Sequence, residues 1–275
     1  MASLQEKHQA LQSIIQSYGK VAIAFSGGVD SSLLSYVAHE TLGENAVALT
    51  ADAPVVPRSE FAEGKEFCKR YGIKQVICHP NPFRKEEVRF NAPNRCYVCK
   101  KEIFGSLFDA AHKLGISLIA DGSNLDDLGD YRPGLKALEE LQVKSPLREA
   151  GFTKADIRAL SKELGLPTWN KQSNACLATR FPYGSEITEE KLALVDKAEE
   201  ALSGLGFTQL RVRVHNDIAR IEVPVAQMGL LLSDENRVAI VAELKKLGFA
   251  YVTLDLAGYR TGSMNEKLGK EPSEN

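Results

Sequence analysis

Apolar positions along the chain recur in two periods, and the change from one period to the other marks out its elements. Short β-prone runs, Val21 to Phe25, Ala46 to Thr50, Gln75 to His79 and Leu118 to Asp121, alternate with segments whose apolar residues fall three and four apart. Leu33, Leu34, Val37, Ala38 and Leu42 form one such helical face, ending before Gly43. A second helix is predicted from about Arg58 to Tyr71, with Gly72 as its stop. A third begins near Asn94, carries Ile103, Phe104, Leu107, Phe108, Ala111 and Leu114, and stops at Gly115. Strands that alternate with helices predict βαβ units, so the fold class is α/β with a parallel sheet.

Beyond these units, Thr153-Lys154-Ala155-Asp156 resembles a capping box, and Ile157, Leu160 and Leu164 continue one apolar face toward Gly165. Periodicity then lapses from Thr168 to Gly184, a stretch holding Trp169, Cys176, Arg180 and Phe181-Pro182-Tyr183-Gly184 that reads as a functional loop. From about Ser185 the pattern becomes a helix with Leu192, Val195, Ala198 and Leu202, then the strand Gln209 to His215 and its partner Ile218 to Val223. A further helix with Ile240, Val241, Leu244 and Leu247 precedes the run Tyr251 to Leu256. The expected organisation is a first domain over 1–184 and a smaller α+β domain over 185–275, whose charged end, Glu266 to Asn275, reads as a frayed tail.

Composition narrows the classes. With 275 residues, 44% hydrophobic and 25% charged, the chain suits one large domain with a companion. Its 34 Lys and Arg against 36 Asp and Glu leave a net charge of −2, so no overall basic field draws nucleic acid. The start is amphipathic and polar rather than a signal peptide, and no run approaches membrane-spanning length, so a cytoplasmic enzyme without membrane contact is expected. In that compartment the 5 cysteines read as thiols, ligands or catalysts rather than as a disulfide framework.

The densest chemistry lies in Ser26-Gly27-Gly28-Val29-Asp30-Ser31-Ser32, between the first strand and its helix. A glycine-rich turn that opens a helix gathers backbone N–H groups at the positive end of the helix dipole, a site for phosphate or pyrophosphate. Gly27 and Gly28 let the backbone approach the anion, and Ser26, Ser31 and Ser32 add hydroxyl donors; in the ATP-binding loops that this pattern resembles, Asp30 would carry Mg²⁺ against the phosphates. A turn that binds nothing is the plain alternative, but a carboxylate beside it would be a costly choice. The pattern S-G-G-x-D-S resembles the PP-loop of the ATP pyrophosphatases, which split ATP into AMP and pyrophosphate while adenylating a substrate. Asp121 and Gly122, with Ser123 and Asn124, follow the fourth strand and resemble the nucleotide segment of the same group, whereas an Asp-Gly turn is the simpler reading. The stretch Asp126 to Asp130 could assist the metal, although a solvated loop accounts for most of its charge.

Cys96 and Cys99 share a face at the start of the third helix, where the dipole favours thiolates. Such a pair could be a redox dithiol or half of a zinc site. Cys176, on the irregular loop, is the natural third thiol, while Cys68 on a helix stripe and Cys78 within a strand read as small apolar residues. Three thiolates can hold three irons of a 4Fe-4S cluster and leave the fourth open to an added sulfide; zinc and a direct cysteine role remain alternatives. Arg211 and Arg213 project from one strand face, suiting phosphate or carboxylate, though an exposed charged face is the commoner outcome of such alternation. Arg180 is weighed in the same way, as surface charge or as substrate anchor.

Taken together, Ser26 to Ser32, Asp121 to Asn124, Asp130 to Lys136, Arg180 to Gly184, Arg211 to Arg220 and Tyr251 to Leu256 resemble the LarE family of ATP-dependent sulfur transferases in nickel-pincer cofactor biosynthesis. The resemblance implies a PP-loop domain and a second domain for substrate binding and oligomerisation. It implies a small-molecule substrate, pyridinium-3,5-biscarboxylic acid mononucleotide, whose carboxylates are adenylated and converted to thiocarboxylates. Arg180, Arg211, Arg213 and, more weakly, Glu222 would hold its phosphate and carboxylates. The family has two sulfur sources. One sacrifices the sulfur of a cysteine at the position of Cys176 without the C-x-x-C pair; the other holds a 4Fe-4S cluster on three cysteines and transfers an added sulfide from a sulfide source. Cys96 and Cys99 make this chain resemble the second. A homo-oligomer, up to a hexamer, is implied as well. The competing enzyme reading is tRNA thiolation, which the near-neutral charge disfavours.

Overall fold

The computed structural model describes residues 2–129, 133–172, 175–207, 209–260 and Ser263. Asp130, Tyr131 and Arg132, which carried part of the acidic stretch and of the family resemblance, lie outside the described residues, as does the segment 266–275. In chain order the elements are α1 (Leu4–Tyr18), β1 (Val21–Ala24), α2 (Val29–Leu42), β2 (Ala46–Ala51), α3 (Arg58–Arg70), β3 (Gln75–Cys78), the single turn α4 (Glu86–Arg89), α5 (Arg95–Lys113), β4 (Ile119–Ala120), α6 (Pro133–Glu140), α7 (Pro146–Glu149) and α8 (Lys154–Glu163). There follow α9 (Glu189–Ser203), β5 (Arg211–His215), β6 (Ile218–Glu222), α10 (Met228–Leu231), α11 (Asp234–Lys246) and β7 (Tyr251–Leu254). Two compact units result: residues 1–82 with 96–174, and residues 83–95 with 175–275.

The first unit is α/β. Its four strands are all parallel and lie in the order β3-β2-β1-β4. Successive strand residues face opposite layers, which is why the strands read as continuous apolar runs rather than alternating ones. Val21, Ile23, Ala46 and Ala48 pack with Leu11 and Ile15 of α1, Leu33, Leu34 and Val37 of α2, and Ile157 and Leu160 of α8. Ala22, Val47, Leu49 and Ile119 pack on the other side with Phe104, Leu107 and Ala111 of α5. β4 is only two residues long, and Ala120 continues its edge by a parallel bridge to Lys144. The predicted glycine stops hold: Gly72 and Gly115 both have φ of +65°, a left-handed conformation that ends a helix at little cost. The polar N-terminal segment also folds, as α1, capped by Ser3 and Glu6 in a capping box and buried along Leu11 and Ile15.

In the second unit, β5 and β6 form an antiparallel hairpin whose turn uses Asn216 at φ +56°, and β7 joins β6 in parallel after the crossover helix α11. Leu192, Val195, Ala198 and Leu202 form the buried stripe of α9 at the predicted spacing. Segment 83–95 joins this unit because Asn91, fully buried at φ +50°, donates through Nδ2 to the carbonyls of Phe181 and Pro182. Arg95 adds a hydrogen bond to the Ala178 carbonyl and lies over the Tyr183 ring, so Phe181-Pro182-Tyr183-Gly184 is clamped from a distant part of the sequence. Among the described residues, no helix is long and apolar enough to cross a membrane.

Candidate functional site

In the first unit the chain leaves β1 through Ser26, Gly27 and Gly28 and enters α2, while Asp121 and Gly122 leave the neighbouring β4. The order β3-β2-β1-β4 reverses direction between β1 and β4, so both segments stand at the carboxyl ends of strands beside the switch point, where open α/β sheets bind ligands. Gly27 has φ of +75°, and a Cβ there would come within 3.3 Å of the Glu60 carbonyl oxygen. At Gly122, a Cβ would lie 3.0 Å from both the Asp30 Cβ and the Ser31 nitrogen. Two glycines therefore let three segments close on one another where side chains would hold them apart.

Gly28 is the N-cap of α2 and supplies no side-chain cap, so the helix presents its first-turn N–H groups to whatever anion approaches. The turn braces itself with hydroxyls: the Ser26 N–H donates to Ser31 Oγ at 3.2 Å, and the two hydroxyl oxygens are 3.1 Å apart. Ser31 Oγ also donates to the Gly28 carbonyl. Ser32 is fully buried, and its hydroxyl has no hydrogen-bond partner among the described residues.

Asp30, in the first turn of α2, accepts from Lys154 Nζ at 2.5 Å on both oxygens and from Asn124 Nδ2 at 3.3 Å. Lys154 begins α8, whose Thr153–Asp156 capping box forms as predicted. Its own N–H donates to Asp126 Oδ2 at 2.7 Å. Asp127 accepts the Asn124 N–H at 2.9 Å, so part of the acidic stretch anchors backbone rather than standing in solvent. Asp121 is buried and accepts from the hydroxyls of Ser123 and Ser145 at 2.6 and 2.8 Å, which orients it within the loop. Asp30 offers carboxylate oxygens of the kind a hard cation such as Mg²⁺ takes, and the open helix N-terminus with Gly27 and Gly122 suits the phosphates of ATP.

Sequence reasoning passed over two lysines here. Lys154 carried only a capping signal, and Lys171 lay in the non-periodic loop. Lys171 Nζ donates to the Gly27 carbonyl at 3.1 Å and pairs with Glu60 at 2.6 Å and Glu63 at 2.7 Å. Burial works to lower its pKa, but Glu60 and Glu63 outweigh that and hold the ammonium above its ordinary value. Both lysines are joined to the PP-loop across more than a hundred residues, so no local pattern marks them.

The second unit gathers the predicted arginines. Arg180 is 1% exposed and forms a two-pronged pair with Glu199, Nε to Oε1 at 2.9 Å and Nη2 to Oε2 at 2.8 Å. Arg213 Nε and Nη2 both donate to Glu222 Oε2, at 3.0 and 2.8 Å, and Arg220 Nη2 reaches Oε1 at 3.1 Å. Arg211 lies over the Tyr259 ring; burial above all, then the neighbouring Arg180, pushes its pKa below the ordinary guanidinium value. The alternative of an exposed charged face for Arg211 and Arg213, and of a surface position for Arg180, is therefore ruled out: all three are buried, Arg180 neutralised by Glu199 of α9 and Arg213 by Glu222 of β6.

Cys176 is exposed at the head of the short 3₁₀ turn Leu177–Arg180. Its carbonyl accepts from the Thr179 N–H, Thr179 Oγ1 and Arg180 Nη1 at 2.9, 2.8 and 3.3 Å, so the backbone beneath the thiol is held by three donors. Cys96 and Cys99 belong to the first unit, one turn apart at the start of α5, the former exposed and the latter half-buried. Within either unit, among the described residues, no three His, Cys, Asp or Glu side chains gather into a metal-holding group. The thiols themselves are soft ligands of the kind iron–sulfur clusters take. Cys68 and Cys78 are buried as expected, and burial pushes the Cys68 thiol up to about 12.

No protein-family model matches the chain. It is 40% identical over 271 residues to the pyridinium-3,5-bisthiocarboxylic acid mononucleotide synthase of Lactiplantibacillus plantarum, covering 98% of each chain. It is 41% identical over 267 residues to an uncharacterized protein of Synechocystis, covering 97% of this chain and 100% of that one. A shorter match, 31% identical over 197 residues, joins 64% of this chain to 61% of a subunit of the glutamine-hydrolyzing GMP synthase of Thermoplasma volcanium.

Proposed function

The chain belongs to the LarE family of pyridinium-3,5-bisthiocarboxylic acid mononucleotide synthases, and from that premise we propose that it adenylates the carboxylates of pyridinium-3,5-biscarboxylic acid mononucleotide and replaces them with thiocarboxylates. It is an enzyme of the PP-loop ATP pyrophosphatase class, a sulfurtransferase. The observation that carries the reading is the Ser26–Ser32 turn with Asp30 at the carboxyl end of β1, in a chain that matches the synthase along 98% of both lengths.

ATP is held by the backbone N–H groups of Gly28 to Ser31 and by the hydroxyls of Ser26, Ser31 and Ser32, with Asp121 and Gly122 closing the nucleotide site. Mg²⁺ on Asp30 would offset the charge of the phosphates. A carboxylate is a poor electrophile, and its mixed anhydride with AMP is a good one; the PP-loop stabilises the pyrophosphate that leaves as the anhydride forms. Arg180, Arg211 and Arg213, with Glu222, bind the substrate's phosphate and carboxylates. Burial above all, then the neighbouring Arg180, lowers the Arg211 pKa, and a substrate anion beside it would favour the charged guanidinium.

Sulfur is delivered at Cys176. A 4Fe-4S cluster on Cys96, Cys99 and Cys176 would supply an added sulfide as nucleophile. The presence of both Cys96 and Cys99 supports this route over sacrifice of the Cys176 sulfur. The protein is proposed to work in the cytoplasm as a homo-oligomer, drawing on a sulfide source and no nucleic acid.

The test is anaerobic reconstitution with iron and sulfide, followed by iron, sulfide and optical measurement of wild type and Cys96→Ala. Wild type is expected to take up a cluster and turn over repeatedly when given sulfide, and Cys96→Ala to do neither. If wild type binds no iron, makes product and loses the mass of one sulfur with two hydrogens at Cys176, sulfur comes from the cysteine itself. If neither protein releases pyrophosphate with the pyridinium substrate, the substrate assignment falls.

A further inference from the structure

The peptide unit between Gly27 and Gly28 joins the two residues that best permit a peptide plane to turn over. In a trans peptide the carbonyl and the N–H point in opposite directions, so one side of this plane attracts phosphate and the other repels it. We propose that Lys171 is a positioning residue for nucleotide binding: by holding the Gly27 carbonyl away from the phosphates of ATP, it keeps the Gly28 N–H turned toward them. The proposal rests on the reading of the Ser26–Ser32 turn as the phosphate site.

The observations that carry it lie within the first unit. Lys171 Nζ donates to the Gly27 carbonyl oxygen at 3.1 Å, whereas the Gly28 N–H meets Ser26 Oγ only at 3.5 Å, the long limit of a hydrogen bond. The turn thus grips the N–H side of the plane weakly, and the carbonyl side is held from another segment. The ammonium is aimed, because Glu60 and Glu63 accept from it at 2.6 and 2.7 Å, with 15% of the Lys171 side chain and 10% of that of Glu60 exposed. The base of the side chain is fixed as well. Arg158 donates to the carbonyls of Trp169 and Lys171 at 2.9 and 2.8 Å, and the Lys171 N–H donates to the Thr168 carbonyl at 3.0 Å. Helix α3 meets the turn at the same place, since a Cβ on Gly27 would lie 3.3 Å from the Glu60 carbonyl oxygen.

An ammonium has three N–H donors, and here Gly27, Glu60 and Glu63 supply three acceptors for them. Lys171 therefore acts through the Gly27 peptide rather than on the phosphates. Its charge has a separate effect: without it the buried carboxylate of Glu60 would stand uncompensated behind the turn. The experiment has to tell that effect from the orientation of the peptide.

The test titrates ATP and AMP, each with Mg²⁺, into the full chain by calorimetry. Wild type, Lys171→Met and the double variant Lys171→Met with Glu60→Gln are compared, each checked for folding by its melting transition. ATP carries the β- and γ-phosphates that the turn would hold, and AMP lacks them. Lys171→Met is expected to bind ATP about tenfold more weakly than wild type, and AMP within about twofold of it. Its melting temperature is expected to fall, because a buried carboxylate loses its partner, and Glu60→Gln is expected to restore the melting temperature but not the ATP affinity. ATP affinity regained in the double variant assigns the loss to the carboxylate and overturns the positioning role. Equal weakening of ATP and AMP overturns it too, since a general loosening of the site moves both. Should Lys171→Met fold poorly, the double variant makes the same ATP and AMP comparison with wild type. If wild type binds ATP no more tightly than AMP, the reading of the turn as the phosphate site falls instead, and that outcome is read without any variant.

Discussion

Arg180 and Glu199 form a buried pair whose carboxylate has a second duty: Glu199 Oε1 accepts both Arg180 Nε and the Val212 N–H, each at 2.9 Å. One carboxylate thus ties the Cys176 turn to the edge of β5 inside the second unit, since Arg180 also donates to the carbonyls of Ala175 and Cys176.

Removing one partner of that pair leaves a buried charge uncompensated. Arg180→Met is expected to lower stability by about 3–5 kcal/mol, and Arg180→Met with Glu199→Gln to recover part of the loss, because the double change removes both charges. Urea denaturation of the two variants against wild type measures the difference.

Gly122→Ala places a Cβ 3.0 Å from the Asp30 Cβ and the Ser31 nitrogen, neither of which is a flexible chain end. The PP-loop must shift, while the buried core beneath it is untouched. The expected outcome is a drop in ATP affinity of at least about tenfold, from strain of about 1–3 kcal/mol, with the far-ultraviolet dichroism of wild type. Calorimetric titration with ATP and Mg²⁺ checks it.

Asp156 links the start of α8 to α1. Partial burial works to raise its pKa, but hydrogen bonds from Lys7 and Thr153 outweigh burial and hold the carboxyl below its ordinary value of 3.8. A depressed folded-state pKa contributes stability that is present above the unfolded value and disappears as pH falls through the folded one. The stability difference between wild type and Asp156→Asn is therefore expected to be constant from pH 7 to about pH 5 and to shrink below about 3.8. Denaturant titrations at pH 7, 5, 4 and 3 follow it.

Thiol labelling separates four of the five cysteines into two classes, with the half-buried Cys99 between them. In metal-free protein at pH 8, iodoacetamide is expected to modify the exposed Cys96 and Cys176 first. Cys68, whose thiol burial holds at about 12, and the buried Cys78 are expected to react only after denaturation. Peptide mass spectrometry over a labelling time course reads both classes.

What the sequence determined by itself is what depends on neighbours a few residues away. The four β-prone runs became β1 to β4, the glycine stops ended their helices, Thr153 and Asp156 formed their box, and Ser26 to Ser32 made a strand-to-helix turn. Each is a local property: side-chain period, φ at a glycine, a hydrogen bond across one turn. Tertiary structure alone decided which distant groups met. Lys154 lies 124 residues from Asp30 and Lys171 lies 144 from Gly27, and only the stacking of α8 and the following loop against the sheet brings them to the PP-loop. Asn91 belongs with Phe181 for the same reason, ninety residues on. The alternation Arg211-Val212-Arg213-Val214 could not reveal that both its faces are buried, because burial of a guanidinium depends on Glu199 and Glu222 arriving from other elements to compensate the charge. Pattern specifies the elements, and the pairing of charges across them is settled only when the chain closes on itself.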